Sequence, residues 1–136
     1  MYEVFEHTAD LGLRIRAGDL NGLFVEAGKG FASLLVSEPA EVRLTETVEF
    51  HLEGDDPLFL FFDWLNELLY TFDTRKLILV DFQVAVDDKG LQATARGETM
   101  NASRHRMEHE VKAITYHGLK VQHETDGWLA EVIVDI

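Results

Sequence analysis

A chain of 136 residues, 46% of them hydrophobic, has the size of one ordinary domain and enough apolar material for a core. Its 25 acidic and 12 basic residues give a formal charge of -13, and no basic stripe of the kind that general nucleic-acid backbone binding requires is visible. The count of zero cysteines excludes disulfides and thiolate metal sites, leaving histidine, carboxylate and carbonyl groups as the available ligands.

In chain order, Tyr2 to Phe5 predicts a short strand and HTAD a turn. Leu11, Leu13, Ile15 and Ala17 then alternate with Gly12, Arg14 and Arg16, the pattern of a half-buried strand. Asp19 is a candidate helix cap, because Leu20, Leu23, Phe24, Ala27, Phe31, Leu34 and Leu35 recur on one helical face until Pro39. Glu41 to Glu53 alternates again, with Val42, Leu44, Val48, Phe50 and Leu52 on one side; Glu46 interrupts that set and predicts a bulge or an edge.

Asp56-Pro57 has the form of a cap followed by proline at the first helical position. The stripe behind it, Leu58 to Phe72, is widened by Phe59, Leu60, Trp64 and Tyr70, which predicts the most buried helix of the fold. Ile78 to Val86 and Leu91 to Ala95 flank Asp87-Asp88-Lys89-Gly90 as a hairpin. Gly97 to Glu110 reads as a polar loop, Val111 to Glu124 as largely extended, and Trp128 to Val134 as a closing strand. About seven strands and two helices, joined mostly as hairpins, define an α+β fold: a two-layer, mainly antiparallel sheet with two packed helices, in a single domain over residues 1–136.

The first residues lack a basic segment followed by an apolar one, and the most apolar run, Leu58 to Leu69, is broken by Asp63, Asn66 and Glu67. A cytoplasmic protein without membrane spans is expected.

Several motifs are weaker than they look. His105-Arg106-Met107-Glu108-His109 spells the inverted zinc-peptidase pattern, which needs a helix, whereas here it sits in a predicted solvated loop. Gly28-Lys29-Gly30 lies inside a helical period, so close packing explains it better than phosphate binding. Lys112, set between Val111 and Ala113, would balance a buried acid such as Glu98 or Glu110, or stand at a sheet edge.

The ending WLAEVIVDI carries more. A closing strand would hold Asp135 beside the terminal carboxylate of Ile136. At about 4 Å and an effective dielectric of about 20, two such charges repel by on the order of 4 kcal/mol before solvent screening. If that strand lies next to the first ones, Asp10, Asp135 and the Ile136 carboxylate converge, as three hard oxygen donors for Ca²⁺, Mg²⁺ or Mn²⁺ or as an ordinary acidic surface cluster.

The stretches YEVFEHTADLGLRIRAGDLNGLFVEAGKGFASLL and EVKAITYHGLKVQ, with Gly97-Glu98, the Leu58 to Tyr70 helix and the final VDI, resemble the archease family over almost the whole chain. That resemblance implies an accessory protein of the RtcB-type RNA ligase, which seals tRNA exon halves with GTP and Mn²⁺. The accessory protein promotes guanylylation and multiple turnover of the ligase and broadens its nucleotide use, without being an enzyme itself. It also implies a divalent cation, taken as calcium, on Asp10, Asp135 and the terminal carboxylate of Ile136, and makes Lys112 a candidate for activation. Two competing classes are a chaperone-like modulator of nucleic-acid-modifying enzymes and a metal-dependent phosphoesterase using the same carboxylates.

Overall fold

The computed structural model describes residues 1–7 and 10–136, so the predicted HTAD turn lies partly outside the described residues, at Thr8 and Ala9. The strands and helices are β1 (Tyr2–His7), β2 (Asp10–Ala17), α1 (Leu20–Leu35), β3 (Glu46–Glu53), α2 (Pro57–Arg75), β4 (Leu77–Asp87), β5 (Gly90–Thr99), β6 (Ala113–Ile114), β7 (Lys120–Glu124) and β8 (Gly127–Asp135). The α+β class and the two helices agree with the sequence reading. The strands, however, are divided between two antiparallel sheets. One runs β1-β2-β8-β6 with β7 also on β8, and the other runs β3-β5-β4. Alternation reveals which side of a strand is buried but not which sheet the strand joins.

The closing strand β8 is central to the larger sheet. It pairs with β2 along one edge, from Leu11 against Val134 to Ala17 against Trp128. Along its other edge β6 and β7 lie end to end, with Ala113 opposite Asp135 and Lys120 opposite Glu131. The predicted extended stretch after Val111 therefore consists of two short strands separated by a turn, because each meets a different part of β8.

Helix α1 starts where the backbone N–H of Gly22 donates to the Asp19 carboxylate at 2.7 Å, as the capping reading required. Its two inner glycines explain how it packs. A Cβ on Gly28 would stand 2.8 Å from the Phe82 ring of β4, and one on Gly30 would stand 3.3 Å from Leu13 of β2 and from Tyr2 of β1. The helix thus lies against both sheets, which confirms close packing as the reason for those glycines.

Nine of the sixteen residues of α1 are buried, against seven of the nineteen of α2, so α1 and not α2 is the most buried helix. Helix α2 does begin as expected, with the Leu58 N–H donating to Asp56 at 2.9 Å and Pro57 in the first turn. Yet Phe59 is 53% and Tyr70 65% exposed. The wide apolar stripe overstates burial because a helix at the side of a sheet covers only part of its circumference. Trp64 is fully buried, and its indole N–H donates to the Phe24 carbonyl of α1 at 3.0 Å, joining the two helices.

Two further expectations are corrected. Residues 41–45 are not strand; β3 begins at Glu46 as the edge of its sheet, and the bulge falls in β4 between Leu79 and Asp81. Gly97 faces this irregularity, where a Cβ would collide with the Ile78 carbonyl oxygen. The predicted loop also starts later, since Gly97 to Thr99 complete β5. The segment that follows is irregular but tied down: the Glu108 and His109 N–H groups donate to Leu35 and Leu34 carbonyls at 2.9 and 3.0 Å, satisfying the open end of α1.

Candidate metal centre

The pairing of β2 with β8 decides whether the predicted acids can meet. Its register ends with Leu11 opposite Val134, and one further step along both strands sets Asp10 beside Asp135. Asp10 also pairs with His7 on β1, and Asp135 with Ala113 on β6. His7, Asp10, Asp135 and Ala113 therefore form one row across four strands. Residues directly opposite share a face and bring their Cβ atoms within about 4.5–5.5 Å. Leu11, Leu13 and Ile15 point into the core, so Asp10 points to the opposite, outer face. Both aspartates and Ile136 are half-buried.

The cations of this outer face are engaged elsewhere. Arg14 donates to Glu131 at 2.9 Å and to Glu3 at 3.1 Å, and these two hydrogen bonds, Glu131 first, raise its pKa further above the ordinary guanidinium value. Arg16 pairs with Glu124 at 3.6 Å and Lys120 with Glu131 at 3.9 Å. Among the described residues no lysine, arginine or histidine forms a salt bridge with Asp10, Asp135 or the Ile136 carboxylate. Adjacent carboxylates without an internal counter-charge fit a hard divalent cation chemically. Among the described residues no three His, Asp or Glu side chains are gathered at metal-binding spacing.

Phe5 frames the row from the side. Its ring lies on Gly12, where a Cβ would come within 2.1 Å of it, and it carries the Arg14 guanidinium 4.7 Å from its centre. The side chain of Ile136 packs on the main core, which anchors the terminus.

Lys112 is exposed and does not balance Glu98. Its backbone N–H donates to the Asp135 carbonyl at 2.8 Å, so its connection to the acidic row is through the main chain. Glu98 is instead held by the Arg43 N–H at 2.6 Å, by Arg104, and by His105 Nε2 at 3.1 Å. His105 is only 5% exposed, which corrects the solvated-loop reading at that residue, while Arg106 and Glu108 are exposed as expected and no helix forms there. The Asn101 N–H donates to His105 Nδ1 at 2.9 Å, so the hydrogen-bond network assigns the proton to Nε2, which donates to Glu98. Neither this cluster nor the partnership of His7 was evident from sequence, because the residues join only through tertiary pairing.

The class defined by these observations is a two-sheet α+β domain whose early strand β2 and closing strand β8 bring two acids to one end of a sheet. The profile of the archease protein family (MTH1598/TM1083) matches residues 2–136. The chain is 37% identical to the Protein archease of Methanopyrus kandleri over 139 residues, covering 99% of both chains. It is 36% identical to that of Pyrococcus abyssi over 140 residues, covering 99% of this chain and 98% of the relative. Protein 1598 of Methanobacterium thermoautotrophicum has the same fold in solution, with a TM-score of 0.88 at 31% identity, covering 99% of this chain and 98% of that one. A Thermotoga maritima crystal structure, described as an archease and possible chaperone, shares the fold with a TM-score of 0.70 at 23% identity, covering 100% of this chain and 98% of that one. The chain belongs to the archease family.

Proposed function

We propose that this protein activates an RtcB-type RNA ligase, promoting its guanylylation and repeated turnover, through a divalent cation held by Asp10, Asp135 and the terminal carboxylate of Ile136. The observation that carries the reading is the row of acids at the end of β2 and β8, none of which has a cationic partner among the described residues. Calcium, magnesium and manganese all suit oxygen donors of this kind. When bound, the ion supplies charge neutralisation and polarisation of phosphate oxygens. The chain's own residues then have distinct tasks. Asp10 and Asp135 provide charge from two neighbouring strands, and Ile136 anchors the terminus by its side chain. The Lys112 to Asp135 hydrogen bond fixes the main chain beside the acids, while the exposed Lys112 ammonium is free to meet a phosphate or an acid of the ligase.

In a guanylylation assay with the cognate ligase, Asp135→Asn and deletion of Ile136 should each abolish stimulation while far-UV circular dichroism remains that of the parent. Full stimulation by both variants would refute the reading. A chaperone-like role is the second reading, and one observation favours it. Phe59, Tyr70 and Tyr116 are exposed, and Tyr116, 59% exposed, stacks on Phe62 at 3.8 Å. Client protection that survives both variants and chelation would support that role instead.

A further inference from the structure

We propose that His7 and His117 form a second ion position, with imidazole ligands, for a borderline divalent transition ion such as zinc. Three strand spacings, about 14 Å at about 4.8 Å each, separate β1 from β6 along the sheet. Even so, the ring of His7, at the end of β1, lies with its centre 5.5 Å from that of His117, in the turn after β6. The turn after β6 must therefore reach back across the end of the sheet to bring the two imidazoles together. The turn is shaped for this by hydrogen bonds from Thr115 Oγ1 to the Ile133 carbonyl at 2.9 Å and from the Leu119 N–H to the Tyr116 carbonyl at 3.1 Å.

Two independent observations point to a ligand. The first is the ring spacing. Zinc–nitrogen bonds of about 2.0–2.1 Å put each ring centre about 3.2 Å from the ion, and a tetrahedral angle then separates the centres by about 5.2 Å. The rings stand within a few tenths of an ångström of that distance, tilted by 58° to one another. The second is a polar atom without a partner. His7 Nδ1 is closed off from solvent and has no hydrogen-bond partner among the described residues. A buried ring nitrogen left unpaired is costly, and a metal ion is one of the few groups that would use it.

No third His, Asp or Glu side chain among the described residues is gathered with the two rings, so the imidazoles are the protein's ligands at this position and water completes the shell. Imidazole nitrogen selects zinc, nickel or cobalt over calcium, whereas the carboxylates of Asp135 and Ile136 favour hard ions. The tip would thus offer two positions of different chemistry, and the imidazole position rests on its own evidence.

Isothermal titration of the full chain with Zn²⁺ and separately with Ca²⁺, for the parent and for His7→Gln, His117→Gln and Asp135→Asn, tests this. Zinc affinity should fall at least tenfold in each histidine variant while their calcium binding stays at the parent level, and Asp135→Asn should show the converse. Absorption of Co²⁺ in the visible range should report nitrogen ligation in the parent and fade in His117→Gln. Because His117 is exposed, that variant keeps the test meaningful if His7→Gln does not fold. Zinc affinity unchanged in both histidine variants, or lost as completely in Asp135→Asn, overturns the proposal. The ligase assay is a separate readout, so failure of the imidazole position and failure of the activator reading are told apart.

Discussion

Glu98 illustrates how much one side chain can organise. Its carboxylate binds the main chain before β3 and two residues of the segment after β5. The Arg43 N–H is the largest influence; desolvation opposes it, and Arg104 and His105 add to it, for a pKa lowered from the ordinary 4.5 to about 2. A carboxyl whose pKa is depressed on folding stabilises the fold above its unfolded value, and that contribution disappears as the pH falls through the folded value. Stability should therefore decline between about pH 4.5 and 2 by an increment that Glu98→Gln lacks, and the variant should already melt lower at neutral pH. Thermal melts of both proteins across that range check this; parallel curves would remove Glu98 from the acid response. Glu98 was a candidate buried acid in the sequence, but its partners were not legible there, since they lie 55, 6 and 7 residues away. Asp135 differed in this respect. An acid at the end of a strongly apolar strand conflicts with its surroundings, and such local conflict is what sequence can reveal.

Among the elements, α1 is where packing is tightest. Replacing glycine by alanine within a helix gains about 1 kcal/mol in propensity, while overfilling a packed site costs about 1–3 kcal/mol. At Gly28 the added methyl would meet the Phe82 ring at 2.8 Å, and that ring is itself buried. Gly28→Ala should then be destabilising by up to about 2 kcal/mol, whereas Gly30→Ala, with contacts at 3.3 Å, should be close to neutral. Denaturant midpoints measured side by side decide it, and equal effects would count against the tight contact with β4. The extents of both helices and their caps were legible, because caps and period are local signals. The burial ranking of the helices was not, since it depends on how much of each helix the fold covers: α1 has its inner glycines against both sheets, while α2 leaves Phe59 and Tyr70 in solvent.

For the molecule as a whole, an excess of negative charge opposes compaction, and a bound cation should relieve part of it. A ligand at a hundredfold excess over its Kd stabilises the folded state by about 2.7 kcal/mol. Calcium or manganese should accordingly raise the melting temperature of the parent, chelation should reverse the gain, and Asp135→Asn should not respond. A shift of equal size in that variant would assign the ion elsewhere. The α+β class and the acids of the closing strand were readable from residue pattern. The division into two sheets was not, because only the register of β2 on β8 and of β3 on β5 separates them.

That same register governs the order of assembly. A ribosome releases β2 long before β8, yet β8 is the strand on which β2, β6 and β7 all pair. Until residues 127–135 have emerged, the larger sheet has no centre, and Asp10 has no neighbour on its open side. Pairing across so long a sequence separation makes folding slow and concentrates it at the close of synthesis. An unfinished or prematurely terminated chain would thus display neither the acidic row nor the arch of histidines, so any partner that reads this tip would ignore incomplete copies.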